Sequence, residues 1–264
     1  MAKDTLTATL IGGPTVLLEF GGFRFLTDPT FDPPGSYEAK GIVLTKHTSP
    51  AIAPADLGPV DLVLLSHDQH FDNLDHSGRA FLSTVSTVIT TETGAARLGK
   101  GTVGLQPWAS TEVPLPDGRF LQVIATPARH GPVGIEPISG DVIGFVLRIE
   151  SGPAIYVSGD TVWYEQVAEV GRRYDVRLAV LFTGCAEPRG PFHVTMDSND
   201  AIEAAYAFPN AKIIAVHNEG WAHFTQTQDD VAKAFTTLGI GDRLELLQRG
   251  VAIRFAWADH GNSR

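Results

Sequence analysis

The residues with the clearest chemical potential lie in one short polar segment, from Ser66 to Asp75. Histidines and acidic residues follow one another there in the order His67, Asp68, Gln69, His70, Phe71, Asp72, Asn73. Imidazole and carboxylate groups are the ligands that zinc, iron and manganese accept in proteins. A sharp loop could direct alternate side chains at one ion. The same residues could also form a solvated loop in which Asp72 or Asn73 caps the next helix.

Three further polar residues each follow a predicted apolar strand. They are His130 after the strand at 121–126, Asp160 at the end of the strand at 154–158, and His217 after the strand at 212–216. Strands that end at the same edge of a sheet bring such side chains together, and open sites form at these edges. Together with the polar segment, they favour a metal site over four unrelated surface positions.

The elements that position these residues are predicted from apolar periodicity. Strands dominate the first part of the chain, with Gly21-Gly22 as a hairpin turn, and strands then alternate with helices. Helices are predicted at 74–85, 92–98, 164–174, 198–207 and 226–238, with Asp197 and Thr225 as caps of the last two. Long loops are predicted around 29–35 and 45–59. Two sheets with helices outside them satisfy this α/β order, and no change in composition divides residues 1–264.

Composition limits the classes of function. A formal net charge of -10 gives no basic face for a phosphate backbone, so no nucleic-acid partner is expected. No window approaches the roughly 20 apolar residues of a membrane span. Cys185 is the one cysteine, which excludes an internal disulfide, and the first residues lack the pattern of a signal peptide. We therefore expect a cytoplasmic enzyme with a small-molecule substrate. The composition leaves open whether the chain forms a homo-oligomer.

Several motifs together resemble one known family. They are Leu26-Thr27-Asp28-Pro29, Val63 to Asp75, Thr126 to Gly131, Ser158-Gly159-Asp160-Thr161, Met196-Asp197 and Val216-His217. In these motifs the chain resembles the metallo-β-lactamase superfamily, most closely its ascorbate-6-phosphate lactonase-like and N-acylphosphatidylethanolamine phospholipase-like branch. The resemblance runs from about residue 7 to about residue 255 and implies a four-layer αββα sandwich. It also implies one or two zinc ions, with manganese or iron as other choices, held by His67, His70, Asp72, His130, Asp160 and His217.

The sequence departs from the family motif at two places. One residue is inserted, so that either His67 or Asp68 could be the first ligand. We predict His67, because imidazole is the family's usual ligand there and adjacent residues leaving a strand point in different directions. The second departure is Asn73, where the family has a histidine. A neutral amide oxygen is a poor zinc ligand, so a second ion is expected to bind weakly or not at all.

The function that follows is hydrolysis by a metal-activated water. Asp72 and Asp160 are the predicted catalytic residues, which would orient the water and accept its proton. An ester, a lactone, an amide or a phosphodiester would all suit as substrate. Two alternatives are a mono-iron redox enzyme of the same fold and a binding protein with a degenerate, inactive site.

Weaker candidates lie on loops near this predicted edge. Arg129 and Arg189 could receive an anionic substrate group, although a surface salt bridge is the simpler role for each. Four residues are placed at the mouth of the site, where they could contact substrate: His193, Glu219, Trp221 and His223.

Overall fold

The computed structural model describes residues 5–39 and 41–256. Its strands are β1 (Thr5–Gly12), β2 (Thr15–Phe20), β3 (Phe23–Thr27), β4 (Gly35–Ala39), β5 (Ile42–Lys46), β6 (Leu62–Leu64), β7 (Thr87–Thr91), β8 (Thr102–Leu105), β9 (Ser110–Pro114), β10 (Phe120–Pro127), β11 (Ile143–Ile149), β12 (Ala154–Val157), β13 (Val176–Phe182), β14 (Lys212–Val216), β15 (Leu244–Glu245) and β16 (Ala252–Ala256). Its α-helices are α1 (His76–Phe81), α2 (Glu92–Leu98), α3 (Glu136–Ser139), α4 (Glu165–Arg173), α5 (Ser198–Ala207) and α6 (Gln228–Thr237).

Two mixed sheets of seven strands each form the centre of the described chain. The first runs in the order β16-β1-β2-β3-β6-β7-β8, and the second runs β15-β14-β13-β12-β11-β10-β9. A buried cluster between the sheets includes Leu18 and Phe25 from the first sheet and Phe145 and Val180 from the second. Burying such apolar side chains is the main force that holds two sheets face to face.

Helices cover the outer face of each sheet. Val167 of α4, Ala204 of α5 and Phe235 of α6 pack in one buried cluster with Tyr156 of the second sheet. Phe81 of α1 belongs to another buried cluster, on the outer face of the first sheet. The predicted α/β class and the four-layer αββα sandwich are therefore confirmed.

Strand direction explains why the polar residues meet. β12, β13 and β14 pair in parallel, and so do β3, β6 and β7. The carboxyl ends of neighbouring parallel strands lie at one edge of a sheet, where ligand sites usually form. The loops after β6, β12 and β14 therefore leave from the corresponding edge of each sheet, and the loop after β10 joins them.

Three local predictions need correction. α6 begins later than expected, and its cap is Thr227 rather than Thr225, because Thr227 forms a reciprocal capping box with Asp230. The predicted helix at 74–85 is shorter and continues as a 3₁₀ turn at Leu82–Thr84. Its cap is Asp75, not Asp72 or Asn73, and Asp75 accepts a hydrogen bond from the Gly78 amide. The cap at Asp197 is confirmed.

Between the two predicted loops lies a hairpin that the sequence did not predict. β4 and β5 pair antiparallel from Gly35↔Lys46 to Ala39↔Ile42. Lys46 fixes this hairpin to the body of the protein, because its Nζ lies 3.0 Å from Asp75 Oδ2 and both side chains are buried. No helix of the described ranges is long and apolar enough to cross a bilayer.

Candidate metal centre

One group of side chains, here called the first group, consists of His67, His70, His130 and Asp160. One ligand atom from each lies within 4.8 Å of the others. His70 Nδ1 is 2.8 Å from His67 Nε2 and 3.1 Å from His130 Nε2. Asp160 Oδ2 is 3.5 Å from His130 Nε2. Three imidazole nitrogens and a carboxylate thus face one point at the edge of the sandwich.

Hydrogen bonds at the far side of two rings determine which nitrogen faces the group. His130 Nδ1 lies 2.7 Å from the Val194 carbonyl oxygen, which can only accept, so Nδ1 carries the proton. Ser66 Oγ donates to Asp28 Oδ1 at 2.8 Å and therefore accepts from His67 Nδ1 at 2.9 Å. In the neutral form of each ring, Nε2 is then the unprotonated nitrogen and faces His70, which is the tautomer a metal ligand needs.

The structure resolves the orientation of His67 and Asp68 at the inserted residue. His67 is fully buried and contacts His70 and His130, whereas the Asp68 carboxylate turns away from the group. Arg97 binds that carboxylate through Nε at 3.0 Å from Oδ2 and through Nη2 at 2.5 Å from Oδ1. The register with His67 as the inward residue is therefore the one that the structure adopts.

Asp72, Asn73, His217 and His223 form a second group beside the first. Asp72 Oδ2 is 3.0 Å from His223 Nε2 and 3.5 Å from His217 Nε2. Asp160 connects the two groups, because its Oδ1 is 3.0 Å from His217 Nδ1 while its Oδ2 faces His130. Asn73 Nδ2 donates to Asp160 Oδ1 at 3.2 Å. From the sequence, His223 is expected only at the mouth of the site.

Charge pairing dominates the second group. Burial alone would raise the pKa of Asp72, but contacts with His217 and His223 hold it well below its ordinary value. Burial likewise opposes the charged form of Asp160, but His217 and His130 lower its pKa overall. Burial would lower the pKa of His217, yet Asp160 and Asp72 raise it to about 10. Two buried carboxylates in this site thus attract positive charge strongly.

The backbone is unusual where the site loops begin. His217 has φ 54° and Asp28 has φ 26°, in the left-handed region that non-glycine residues rarely adopt. The backbone amide of His217 donates to the Gly13 carbonyl at 2.9 Å, which helps to hold this conformation. At Gly159, φ is 59° and an added Cβ would lie 2.7 Å from Ser66 Cβ. Only glycine lets the loops after β6 and β12 approach so closely.

An apolar cavity opens directly onto these polar groups. It encloses about 580 Å³, including the part that is open to solvent, and His70, Asp72, His130 and His223 lie on its floor. Its walls are apolar side chains from the hairpin and from the segments near α3: Ile42, Leu44, Ile135, Ile138 and Val194. Apolar walls around a few convergent polar groups are typical of a small-molecule site.

The remaining candidates are placed as follows. Arg129 lies over the Tyr164 ring at 4.6 Å and donates to the Gly131 carbonyl, so it has a structural role. Arg189 lines the cavity. His193 pairs with Asp200 at 3.5 Å, and Glu219 pairs with Arg249 at 3.2 Å, both away from the two groups. Trp221 contacts Tyr37 of the hairpin at 5.5 Å between ring centroids.

Comparison with known proteins identifies the family. The family described as beta-lactamase superfamily domain matches residues 23–218 of the chain. The UPF0173 protein YddR of Bacillus subtilis is 25% identical over 261 residues, which cover 95% of this chain and 100% of that protein. A UPF0173 metal-dependent hydrolase of Methanosphaerula palustris is 29% identical over 181 residues, 66% of this chain and 75% of that protein.

A solved structure shares the fold. The isothiocyanate hydrolase from Delia radicum gut bacteria superposes with a TM-score of 0.81 at 24% identity, covering 95% of this chain and 99% of that chain. The resemblance predicted from the sequence motifs is confirmed by the match of the family to most of the chain. The chain therefore belongs to the metallo-β-lactamase superfamily and is a hydrolase of that superfamily.

Proposed function

We propose that the first group binds a zinc ion through His67, His70 and His130, with Asp160 as a further ligand. The observation that carries this proposal is the contact among three imidazole nitrogens. In the neutral tautomers set by the bonds at Nδ1, His67 Nε2 and His130 Nε2 carry no proton, and both face His70 Nδ1. A single proton on His70 could satisfy only one of them. A cation at their common centre would satisfy all three, so the residues present fit a metal ion.

The chemistry that such an ion supplies is activation of water at neutral pH and polarisation of the electrophile's oxygen or sulfur. Asp72 and Asp160 are the proposed catalytic carboxylates. Asp72 lies on the cavity floor with its pKa held low, so it is ionised and can accept a hydrogen bond from water. Asp160 lies between the two groups and can orient the same water.

The cavity indicates the class of substrate. Ile42, Leu44 and Val194 would bury an apolar group, and such side chains outnumber the one arginine of the lining, Arg189. We propose a small, neutral electrophile that carries an apolar substituent, such as an aryl ester, a lactone or an isothiocyanate. For an isothiocyanate, water oxygen would add to the central carbon. The bond between that carbon and the nitrogen would then break, releasing a primary amine and carbonyl sulfide.

A substrate panel tests the proposal. Benzyl isothiocyanate, phenyl acetate, an aliphatic lactone and bis(4-nitrophenyl) phosphate would be assayed with zinc-loaded protein and after dialysis against a chelator. We expect turnover of at least one neutral compound, its loss on chelation and its recovery with zinc. Turnover of the phosphodiester alone would contradict the proposed substrate class. Unchanged turnover in the metal-free protein would contradict the metal mechanism.

Two neighbouring hairpin residues give a matched control for the cavity. Leu44 is 5% exposed and lines the cavity, whereas Val43 is 60% exposed. Leu44→Asp should raise KM for the apolar substrate by about tenfold or more, because it places a charge against the buried substituent. Val43→Asp should leave KM within about twofold, since surface substitutions have small effects. Equal effects of both changes would argue against binding in this cavity.

A further inference from the structure

A cysteine, a histidine and a carboxylate meet outside the two groups of the metal centre. They are Cys185, His193 and Asp197, here called the cysteine group, and one ligand atom from each lies within 4.8 Å of the others. Cys185 follows β13, whereas His193 and Asp197 precede α5, so two separate segments supply the three donors. Thiolate, imidazole and carboxylate are the donor types that zinc accepts in proteins. The convergence is as close as that of the first group.

Hydrogen bonds of the backbone fix the positions of these donors. The Cys185 amide donates to the Met196 carbonyl at 2.9 Å, and Thr225 Oγ1 donates to the Cys185 carbonyl at 2.7 Å. Asp197 caps α5, because its Oδ1 accepts from the Asp200 amide at 2.8 Å. A carboxylate has a second oxygen and further lone pairs that can bind an ion while the cap is kept. The fold thus holds the donors in place, as a metal site requires.

Negative charge surrounds the cysteine group. The hydrogen bond to Asp200 raises the pKa of His193, and Asp197 and Glu187 raise it further, although burial opposes this. Burial raises the pKa of the Cys185 thiol, and the same three carboxylates add to this effect. Carboxylates that favour a proton on a nearby imidazole also favour a metal cation at the same place.

We propose that the cysteine group binds a zinc-type divalent ion of its own, with Cys185 as a thiolate, His193 through one ring nitrogen and Asp197 through its carboxylate. Water would complete the coordination, since three protein donors leave one position of a tetrahedron open. The thiol proton and the proton on the coordinating nitrogen of His193 pass to solvent as the ion binds. This site is separate from the ion of the first group and does not depend on the proposed hydrolysis.

Such an ion would fix a segment that the first group needs. Val194 lies between His193 and Asp197 in the chain, and its carbonyl oxygen lies 2.7 Å from His130 Nδ1. The Val194 side chain also lines the cavity. An ion held at both ends of this short segment would therefore stabilise the wall of the cavity and the partner that orients His130.

A cluster held by hydrogen bonds alone, with Cys185 as a buried thiol, is the competing role. Cobalt spectroscopy separates the two roles, because cobalt bound to a thiolate gives a strong charge-transfer band in the near ultraviolet. Cobalt bound only to nitrogen and oxygen, as in the first group, lacks this band. The chain has one cysteine, so the band reports on Cys185 alone.

Wild type and five variants would be titrated with cobalt while the band and the ions per chain are measured. Cys185→Ser removes the thiolate, and His193→Gln removes the imidazole. Asp197→Asn removes a charged donor but keeps a residue that caps helices well. Asp229→Asn is its matched control, since it removes an exposed carboxylate from the first turn of α6. His70→Ala removes a donor of the first group.

The band is expected in wild type, where it should saturate at one cobalt per chain for this site. His70→Ala and Asp229→Asn should keep the band, and Cys185→Ser should lose it together with one ion. In His193→Gln and Asp197→Asn, the affinity reported by the band should fall by at least about tenfold, the loss caused even by removing a partner of a ligand.

A wild type that fills the first group with cobalt but shows no thiolate band would overturn this site and leave the proposed function standing. Unchanged affinity in both His193→Gln and Asp197→Asn would also overturn it, because Cys185 would then bind cobalt without the other two donors. Loss of the band in His70→Ala would contradict a site separate from the first group.

A second measurement does not depend on how the variants fold. X-ray absorption fine structure of zinc-loaded wild type should contain a sulfur neighbour at about 2.3 Å, beside nitrogen and oxygen neighbours at about 2.0–2.2 Å. A spectrum that nitrogen and oxygen neighbours explain completely, in protein holding more than one zinc per chain, would contradict the proposal.

Discussion

The two groups of the metal centre differ in how their side chains are held. In the first group, the histidines are oriented by neutral partners, such as the Val194 carbonyl for His130 and the Ser66 hydroxyl for His67. In the second group, histidines contact carboxylates directly, as His217 does with Asp160 and His223 with Asp72. Neutral partners leave an imidazole lone pair free for an ion, whereas carboxylates add negative charge.

The difference suggests distinct roles for the two groups. Three neutral imidazoles give a site that favours zinc. In the second group, Asp72 and the neighbouring Asp160 of the first group stabilise positive charge, because they raise the pKa of His217 to about 10 although burial opposes this. The first group should therefore bind its ion more tightly, and the second should respond more strongly to changes of charge.

The largest expected effect comes from breaking the first group. His130→Ala removes a ligand and leaves the Val194 carbonyl without its donor. We expect loss of the bound ion and a fall in kcat/KM of about 10³-fold or more, since metal activation of water is lost. Metal analysis and the esterase or isothiocyanate assay would measure this. His70→Ala and His217→Ala should also lower metal content or activity severely, while normal values in all three variants would contradict the site.

A smaller effect should separate His67 from Asp68. His67→Ala should lose metal, whereas Asp68→Asn should keep it and lose stability instead. Asp68 is buried and binds Arg97, and a charged hydrogen bond of this kind contributes about 1–3 kcal/mol. Urea unfolding and metal content of both variants would test this contrast. If Asp68→Asn lost the ion while His67→Ala retained it, the assignment at the inserted residue would be reversed.

Loss of the hydrogen bond between Ser66 and His67 should reduce metal affinity less than loss of a ligand does. Ser66→Ala removes the acceptor that fixes the His67 tautomer and also the link to Asp28. Affinity for the first ion should fall by about 10–100-fold, which is the usual loss for a partner of a ligand. Competition with a chelating dye would measure it, with the exposed Ser83→Ala as the control. Equal affinities would show that Ser66 does not orient the ring.

The smallest effect concerns a histidine outside both groups. The hydrogen bond to Asp200 raises the pKa of the half-exposed His193, although burial opposes this. A raised folded-state pKa means that the pair stabilises the fold below the unfolded value of about 6.5, and that this gain is lost as pH rises through the folded pKa.

Comparison with His193→Gln at two pH values would detect this contribution. Wild type should be more stable than the variant at pH 6, by less than about 1 kcal/mol, and equally stable at pH 9. An advantage that grew with pH would have the wrong sign for this ion pair. The measurement would be urea unfolding of the metal-free proteins, so that protonation of the metal-ligand side chains contributes equally to both.

Much of the fold was predictable because its strands are apolar runs that end in recognisable polar residues. The apolar runs before His217 and Asp160 predict two strands, and they also predict the edge of the sheet at which the site lies. The hairpin of β4 and β5 was missed, because Pro33, Pro34 and Gly35 indicate a loop and the pairing depends on the later strand. Its attachment through Lys46 to Asp75 is a tertiary contact that no local pattern reveals.

The site was predictable to a similar degree. Six of its side chains follow from the motif and from strand ends, but His223 does not. Its role depends on a loop that folds back to Asp72 across 151 positions of the chain. The one local signal is a second histidine six residues after His217, in a sequence whose metal motif has Asn73 where the family has a histidine.

The proposed zinc site can be tested by an anomalous-difference map of wild-type crystals, collected on both sides of the zinc absorption edge. A zinc peak is expected within about 2.3 Å of His67 Nε2, His70 Nδ1 and His130 Nε2. Iron alone at this position would favour the redox alternative over hydrolysis. Protein crystallised with zinc that shows no peak among these three histidines would contradict the proposed site.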